Sequence, residues 1–298
     1  MKKIFLLLLV VLPGIHVFAQ VKDTAVSKNP FFSSFELRQS FQTPDAQLNP
    51  AQLQLTIPET GRSNWLVDAG ISLTMGKLSV GPLTSKLIAE VHRNTLVDDQ
   101  QYNYQAGYNL TWYKDKGDYH ATAVWTGNLK YIRDKIDSSK SFAATLNFSI
   151  YRSGKNSLNL GRPGYLSHQK YTYQLTPSVE AQYQQVFTAD KQATGVILRP
   201  VLDIAASFAI NKKKEKGKLA APSKLVELAL DYVNRYAIIN SRGNSERYTK
   251  LLRPAINYYL LNTSSSSVAI GASYNLGSDP LNGLKAQQFW LFSLQVQL

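Results

Sequence analysis

No cysteine occurs among the 298 residues. A disulfide framework, a thiolate metal centre and a cysteine nucleophile are thereby excluded. Histidine (4) and methionine (2) are nearly as scarce. Acids are short against bases: 20 Asp and Glu stand against 33 Lys and Arg, for a formal net charge of +13. Beyond the N-terminus there is no apolar run of about 18 residues, so the sequence predicts no helical membrane span. Amphipathic helical segments, usual in a water-soluble enzyme of this length, are almost wholly lacking.

The chain begins Met1-Lys2-Lys3, continues with an apolar run from Ile4 to Leu12, breaks at Pro13-Gly14, and reaches Val17-Phe18-Ala19 before Gln20. Charged, apolar and small-residue regions in that order describe a secretory signal peptide over 1–19, cleaved near Ala19. Cleavage removes Lys2 and Lys3 and no acid, so the charge falls by two, from +13 to +11. With no Cys after the apolar core, the lipoprotein route is closed. Residues 20–50 are polar and punctuated by Pro30, Pro44 and Pro50. They read as a linker or plug, within which Phe35 to Phe41 offers one short strand.

From residue 51 onward the dominant period is two, which in a strand separates two faces. Tyr102, Tyr104, Ala106, Tyr108, Leu110 and Trp112 alternate with Gln101, Asn103, Gln105, Gly107, Asn109 and Thr111. Trp125, Leu129 and Tyr131 oppose Thr126, Asn128 and Lys130, and Phe142, Leu146 and Phe148 oppose Thr145, Asn147 and Ser149. The chain closes on the same pattern, with Trp290, Phe292, Leu294, Val296 and Leu298 on one face and Ser293, Gln295 and Gln297 on the other. These segments outrun the 5–6 residues usual for strands of soluble sheets, and aromatics mark their apolar faces near both ends.

The alternation predicts twelve strands, at about 51–57, 64–75, 78–93, 101–114, 118–133, 140–152, 170–187, 194–211, 223–240, 246–262, 265–276 and 285–298. Pro177, Pro200 and Pro254 fall inside three of them and predict bulges, since proline cannot donate to a ladder.

By its signal peptide, its alternating segments and its terminal Trp290 to Leu298 strand, the chain resembles Gram-negative outer-membrane β-barrel proteins. The likeness is to an architecture and carries no substrate. It departs from the common pattern in ending on Leu rather than an aromatic residue. It implies an all-β fold, a transmembrane antiparallel up-and-down barrel of about twelve strands over 51–298, with 20–50 as a periplasmic linker or plug. It also implies an outer-membrane location, contact with outer-membrane lipid, and recognition by a barrel-assembly machinery. If Leu298 ends at the periplasmic rim, the long connectors 153–169 and 212–222 lie there too, against the usual short-inside, long-outside rule.

Asp68, Lys86, Glu90, His92 and Glu227 fall on polar faces. So do Glu180, Arg199, Asp203, Asp231, Arg235 and Arg253, which strand direction places near one level as an acid–arginine network. Such a network serves either to fill a small barrel with paired charges or to form a charged constriction that selects solutes. Catalysis is not expected. Barrel lipid hydrolases need a lipid-facing histidine and serine, whereas His92 and His120 face inward and His168 lies in a connector. A metal site from Glu90, His92 and His120 lacks ligand spacing, and no cofactor is implied. The run Lys212, Lys213, Lys214, Glu215, Lys216, Gly217, Lys218 is a basic loop, solvated or contacting anionic groups. Without an aromatic stacking platform it gives no reason to expect nucleic acid. The functional expectation is therefore a narrow or largely occluded solute channel with a charged lumen, non-catalytic. The alternatives are an outer-membrane scaffold docking an envelope partner through 153–169 and 212–222, and, third, a lipid-active enzyme.

Overall fold

The computed structural model describes residues 35–41, 51–56, 64–75, 82–95, 100–114, 122–152, 158–188, 194–212, 222–242, 247–263 and 266–297. The predicted signal peptide, most of 20–50, His120, Lys213, Lys214, Lys216, Lys218 and Leu298 lie outside these residues. The described residues form no helix. In chain order the strands are β1 (Phe35–Arg38), β2 (Ala51–Thr56), β3 (Asn64–Thr74), β4 (Leu83–Asn94), β5 (Gln101–Lys114), β6 (Thr122–Asp134), β7 (Lys140–Tyr151) and β8 (Gly164–Leu166). They continue with β9 (Tyr171–Thr188), β10 (Gly195–Asn211), β11 (Lys224–Tyr236), β12 (Ile239–Asn240), β13 (Tyr248–Asn262), β14 (Ser267–Asp279) and β15 (Leu284–Gln297).

Each long strand pairs antiparallel with its neighbour in sequence, and β15 returns to β2 through Leu294↔Leu53, Gln295↔Gln52 and Val296↔Ala51. The sheet therefore closes into a barrel of twelve staves. Two strands share the first stave. On one edge of β3, β2 occupies Asn64 to Asp68, and β1 occupies Gly70 to Leu73. Extending the β2 register would put residue 50 opposite Gly70, but Arg38 stands there. The first stave is thus one strand interrupted between Arg38 and Ala51.

The two faces invert the usual distribution. On β6, Thr122, Thr126, Asn128 and Lys130 are buried while Trp125, Leu129 and Tyr131 are exposed. On β15, Ser293 and Gln295 are buried, whereas Trp290 and Phe292 are 68% and 64% exposed. Polar residues thus fill the inside of the cylinder, and Leu, Ile, Phe, Tyr and Trp cover its outside. Directly opposed aromatics pair across strands on that outer surface, Trp125 with Phe148 at 4.6 Å and Tyr274 with Trp290 at 5.1 Å between ring centroids. Such pairs fix register as well as cover area.

The bulges predicted at the three prolines are not there. Pro177 pairs with Ile204, Pro200 with Ala181 and Pro254 with Leu230, each in unshifted register. In an antiparallel ladder each residue bonds to only one neighbour, so a proline forfeits one bond without displacing the rows. Register shifts occur elsewhere, as at Ile210/Asn211 and Gly277/Asp279.

The rim that carries Phe35 and Gln297 also carries the β7–β9 and β10–β11 connectors, as strand parity required. In the former, β8 extends the ladder along β9, and Ser167, His168 and Gln169 take φ values of 48°, 56° and 68°. Three consecutive left-handed residues are costly for side-chain-bearing positions. Asn211 holds them, its side chain donating to the Gln169 carbonyl at 2.7 Å.

Candidate functional site

The interior of the barrel gathers nearly all of the chain's buried charge. Two obstructions cross it, and a cavity lies between them.

The first obstruction is Gln39 to Phe41, which follows β1. After Arg38 the chain turns into the lumen, and Phe41 is completely buried. Gly70 makes this possible: a Cβ there would stand 2.9 Å from Glu90 Cγ and 3.0 Å from the Phe41 ring. The segment is tied down by polar contacts. Phe41 N–H donates to Glu90 Oε1 at 2.9 Å, and Gln39 donates to Asp68. Gln39 Oε1 in turn accepts from Arg253 at 3.1 Å.

Beneath it lies a compact charge cluster. Strand pairing sets Asp68 opposite His92, and Glu90 follows two residues away on the same inner face. His92 is held between them, Nδ1 at 2.5 Å from Asp68 and Nε2 at 3.2 Å from Glu90. Lys130 of β6 reaches both Glu90 oxygens, at 2.9 and 2.8 Å. Every polar atom of the Glu90 carboxylate and the His92 ring thus has a partner. This is the arrangement of a satisfied interior histidine and not of a free base. No group of three His, Asp or Glu among the described residues is placed to hold a metal ion.

The second obstruction is the β14–β15 turn. Pro280 to Gly283 does not rise clear of the rim but folds across the mouth to the opposite wall. There Gln105 donates to the Leu281 carbonyl at 3.0 Å and to Asn282 Oδ1 at 2.9 Å. Leu281 packs with Ile132 and Ala143 in a small apolar cluster. β5, β6 and β7 lie about half the circumference away from β14 and β15. Gly283, at φ 76°, closes the turn, and a Cβ there would meet Asp134 Oδ2 at 2.7 Å.

Between the obstructions is a cavity of about 140 Å³, room for several waters. The carboxyls of Asp68, Glu180, Asp203, Asp231 and Asp279 line it against the guanidiniums of Arg235 and Arg253. Of the six residues singled out by strand faces, Asp231 and Arg253 stand directly opposite each other and pair at 3.2 Å. Arg235 pairs with Asp279 at 2.9 Å, an acid outside that set. Arg199 lies away from the cavity lining and donates to Gln184 at 2.8 Å. Glu180 accepts from Gln182 at 2.5 Å. The carboxyls of Asp203 and Asp231 are joined by a side-chain hydrogen bond, which leaves Asp203 Oδ1 as the oxygen buried without a protein partner. Nearer the terminal rim, Glu227 binds Tyr259 and Lys224, each at 2.5 Å.

Several contributors were not singled out in the sequence. Lys130 sat on the polar face of its strand and was legible as inward, but nothing local marked its reach to Glu90. Asp279 lies beyond the expected strand 265–276, and Gln39 to Phe41, expected as the end of a short strand over Phe35 to Phe41, leave the wall after Arg38, so no pattern marked either as a luminal contact. Of the basic loop only Lys212 is described, and it is exposed. No protein-family model matches the chain, and neither a curated protein nor a solved structure does.

Proposed function

We propose that the chain is an integral outer-membrane β-barrel that serves as a narrow solute conduit, closed at rest and without catalysis of its own. The observation that carries this reading is the charged cavity enclosed between Gln39–Phe41 on one side and Pro280–Gly283 on the other. Ionised groups facing each other across a confined path are the usual means of sorting small solutes. The apolar outer surface gives the reason to put the barrel in lipid, because closed barrels satisfy every backbone group without water. The signal-peptide pattern over 1–19 supports export, and the outer membrane is the compartment where such barrels reside. Assembly would then require a barrel-insertion machinery that reads the terminal strand.

Conductance in planar bilayers tests the conduit. The wild-type protein should give small or rare openings, and a Phe41→Ala/Leu281→Ala variant larger and more frequent ones. If both stay silent while folded, the barrel is not a conduit. The scaffold reading would then stand. It draws support from the long connector on the terminal rim, where Leu158, Tyr165 and Leu166 are exposed. Partition into the membrane fraction, heat-modifiable gel migration and an N-terminus at Gln20 test location and processing.

A further inference from the structure

We infer that the outer wall carries a seat for one phosphate-bearing lipid, with an acyl chain lying across β6 to β11 and the phosphate on Lys250. The inference rests on the reading of the apolar surface as lipid-facing and is independent of conduction.

The seat follows from rows of residues that run across the strands. Trp125, Phe148, Val179, Leu202 and Asn234 are successive ladder partners on the outer face of β6, β7, β9, β10 and β11. The neighbouring outward row is Gly127, Leu146, Ala181 and Pro200, again partners in succession. Beyond it stand Leu129, Ala144, Tyr183 and Leu198. The middle row is low, with Leu146 its only bulky member, so the larger side chains on either side wall a trough. An open groove of about 680 Å³ lies there, bordered by Trp125 at one end and by Asn234 and Tyr236 at the other. Four strand spacings separate the two ends, or ~19 Å. With strands tilted by ~35–45°, the trough crosses ~12 Å of depth, comparable with the ~15 Å of one leaflet's hydrocarbon.

The β11 end of the trough supplies what a phosphate requires. Asn234 Nδ2 donates to the hydroxyls of Tyr232 and Tyr248 at 3.1 and 3.0 Å. Each phenol oxygen accepts there, so each keeps its own O–H to give. Lys250 of β13 stands opposite Asn234, is exposed, and has no ion-pair partner among the described residues. Three donors, one of them charged, therefore gather where the apolar trough ends. The acids of the strands around it, Glu180, Asp203, Glu227 and Asp231, are all turned to the inside. An anion at Lys250 thus meets a cation and no like charge on the outer face. A membrane lipid joins the two features, an alkyl chain and an anion, in one molecule.

The full-length protein in detergent is titrated with phosphatidylglycerol brominated near its chain ends, and tryptophan fluorescence is read. Quenching should saturate at one lipid per barrel and vanish in Trp125→Phe, because Trp125 lies at the chain-end side of the trough. The same lipid brominated beside its ester should quench Trp125 little. Diacylglycerol with the same chains, which lacks the phosphate, should bind about fivefold more weakly. Lys250→Gln should bring phosphatidylglycerol down to that level, whereas Lys140→Gln, outside the trough, should not. Ala181→Phe fills the trough and should abolish saturable quenching; Pro200→Leu does the same should the first variant fail to fold. Equal affinity for the two lipids, or undiminished saturable quenching in folded Ala181→Phe, overturns the seat. A protein that stays in solution without detergent would remove the lipid-facing reading itself. One that partitions into membranes yet binds both lipids alike would remove the seat alone.

Discussion

Replacing Lys130 by Met removes one charge from a fully buried Lys–Glu ion pair. Glu90 and Lys130 side chains are 1% and 3% exposed, and Lys130 Nζ contacts both carboxylate oxygens. Methionine keeps the length and apolar bulk of the lysine stem, so the packing change is small. What remains is Glu90 with His92 and the Phe41 N–H, short of its main counter-charge. Breaking a buried pair in this way typically costs about 3–5 kcal/mol. A cap on the penalty of the stranded charge follows independently, because the carboxylate can escape by taking up a proton. At pH 7, with an ordinary carboxyl titrating near 4.3, that uptake costs about 1.36 × 2.7, or about 3.7 kcal/mol. The loss should therefore be about 3–4 kcal/mol at pH 7. It should shrink on acidification, because the unfolded chain then also begins to protonate this group; at pH 5 the same bound is about 1 kcal/mol. The assay is denaturant unfolding in detergent at both pH values, by tryptophan fluorescence. Glu90→Gln combined with Lys130→Met should recover most of the stability. A single variant within about 0.5 kcal/mol of wild type at pH 7, the range of ordinary surface changes, would refute the cluster as a structural tie. So would a deficit that does not change between pH 7 and pH 5.

Three further outcomes are expected. Leu146→Arg changes a half-exposed residue in the middle of β7 on the outer surface. In lipid it should cost about 2–4 kcal/mol, whereas in a water-soluble barrel it would change stability by less than about 0.5 kcal/mol, so equilibrium unfolding from liposomes separates the two. Arg253→Gln leaves Asp231 without its partner, but both side chains are partly exposed, at 18% and 25%. Its cost should be only about 1–2 kcal/mol after solvent screening, read as a lower unfolding midpoint. Gly70→Leu places a side chain where Glu90 and the Phe41 ring now stand. It should expel Gln39–Phe41 from the lumen, seen as faster proteolysis near Phe41 in an otherwise folded barrel; unchanged protection would refute the fit of Phe41 against Gly70.

Much of the candidate site was readable as faces and little of it as contacts. Alternation places Asp68, Glu90, His92, Glu180, Asp203, Asp231 and Arg253 on inner faces, because the side-chain period of a strand is two wherever the strand sits. Alternation also located strand ends closely. The expected segment 194–211 became Gly195–Asn211 and 101–114 became Gln101–Lys114, whereas 223–240 divided into Lys224–Tyr236 and Ile239–Asn240. Pairing was harder. Which arginine meets which acid depends on stagger between strands, and Arg235 reaches past its neighbours to Asp279 at the end of β14. The prolines misled because a ladder skips one bond more cheaply than it inserts a residue.

The sequence by itself determined that the chain is a run of long antiparallel strands, apolar on one side and polar on the other, closing on its final segment. Those properties are local, being set by residue type and period. Only the tertiary structure decided that the interior is obstructed. Phe41 enters because Gly70 lies opposite Glu90 across two strands, and Leu281 crosses because its receiving wall, Ile132 and Ala143, comes from residues well over a hundred positions earlier in the chain. Contacts across the diameter of a closed sheet depend on strand number and stagger together, and no window of residues contains either.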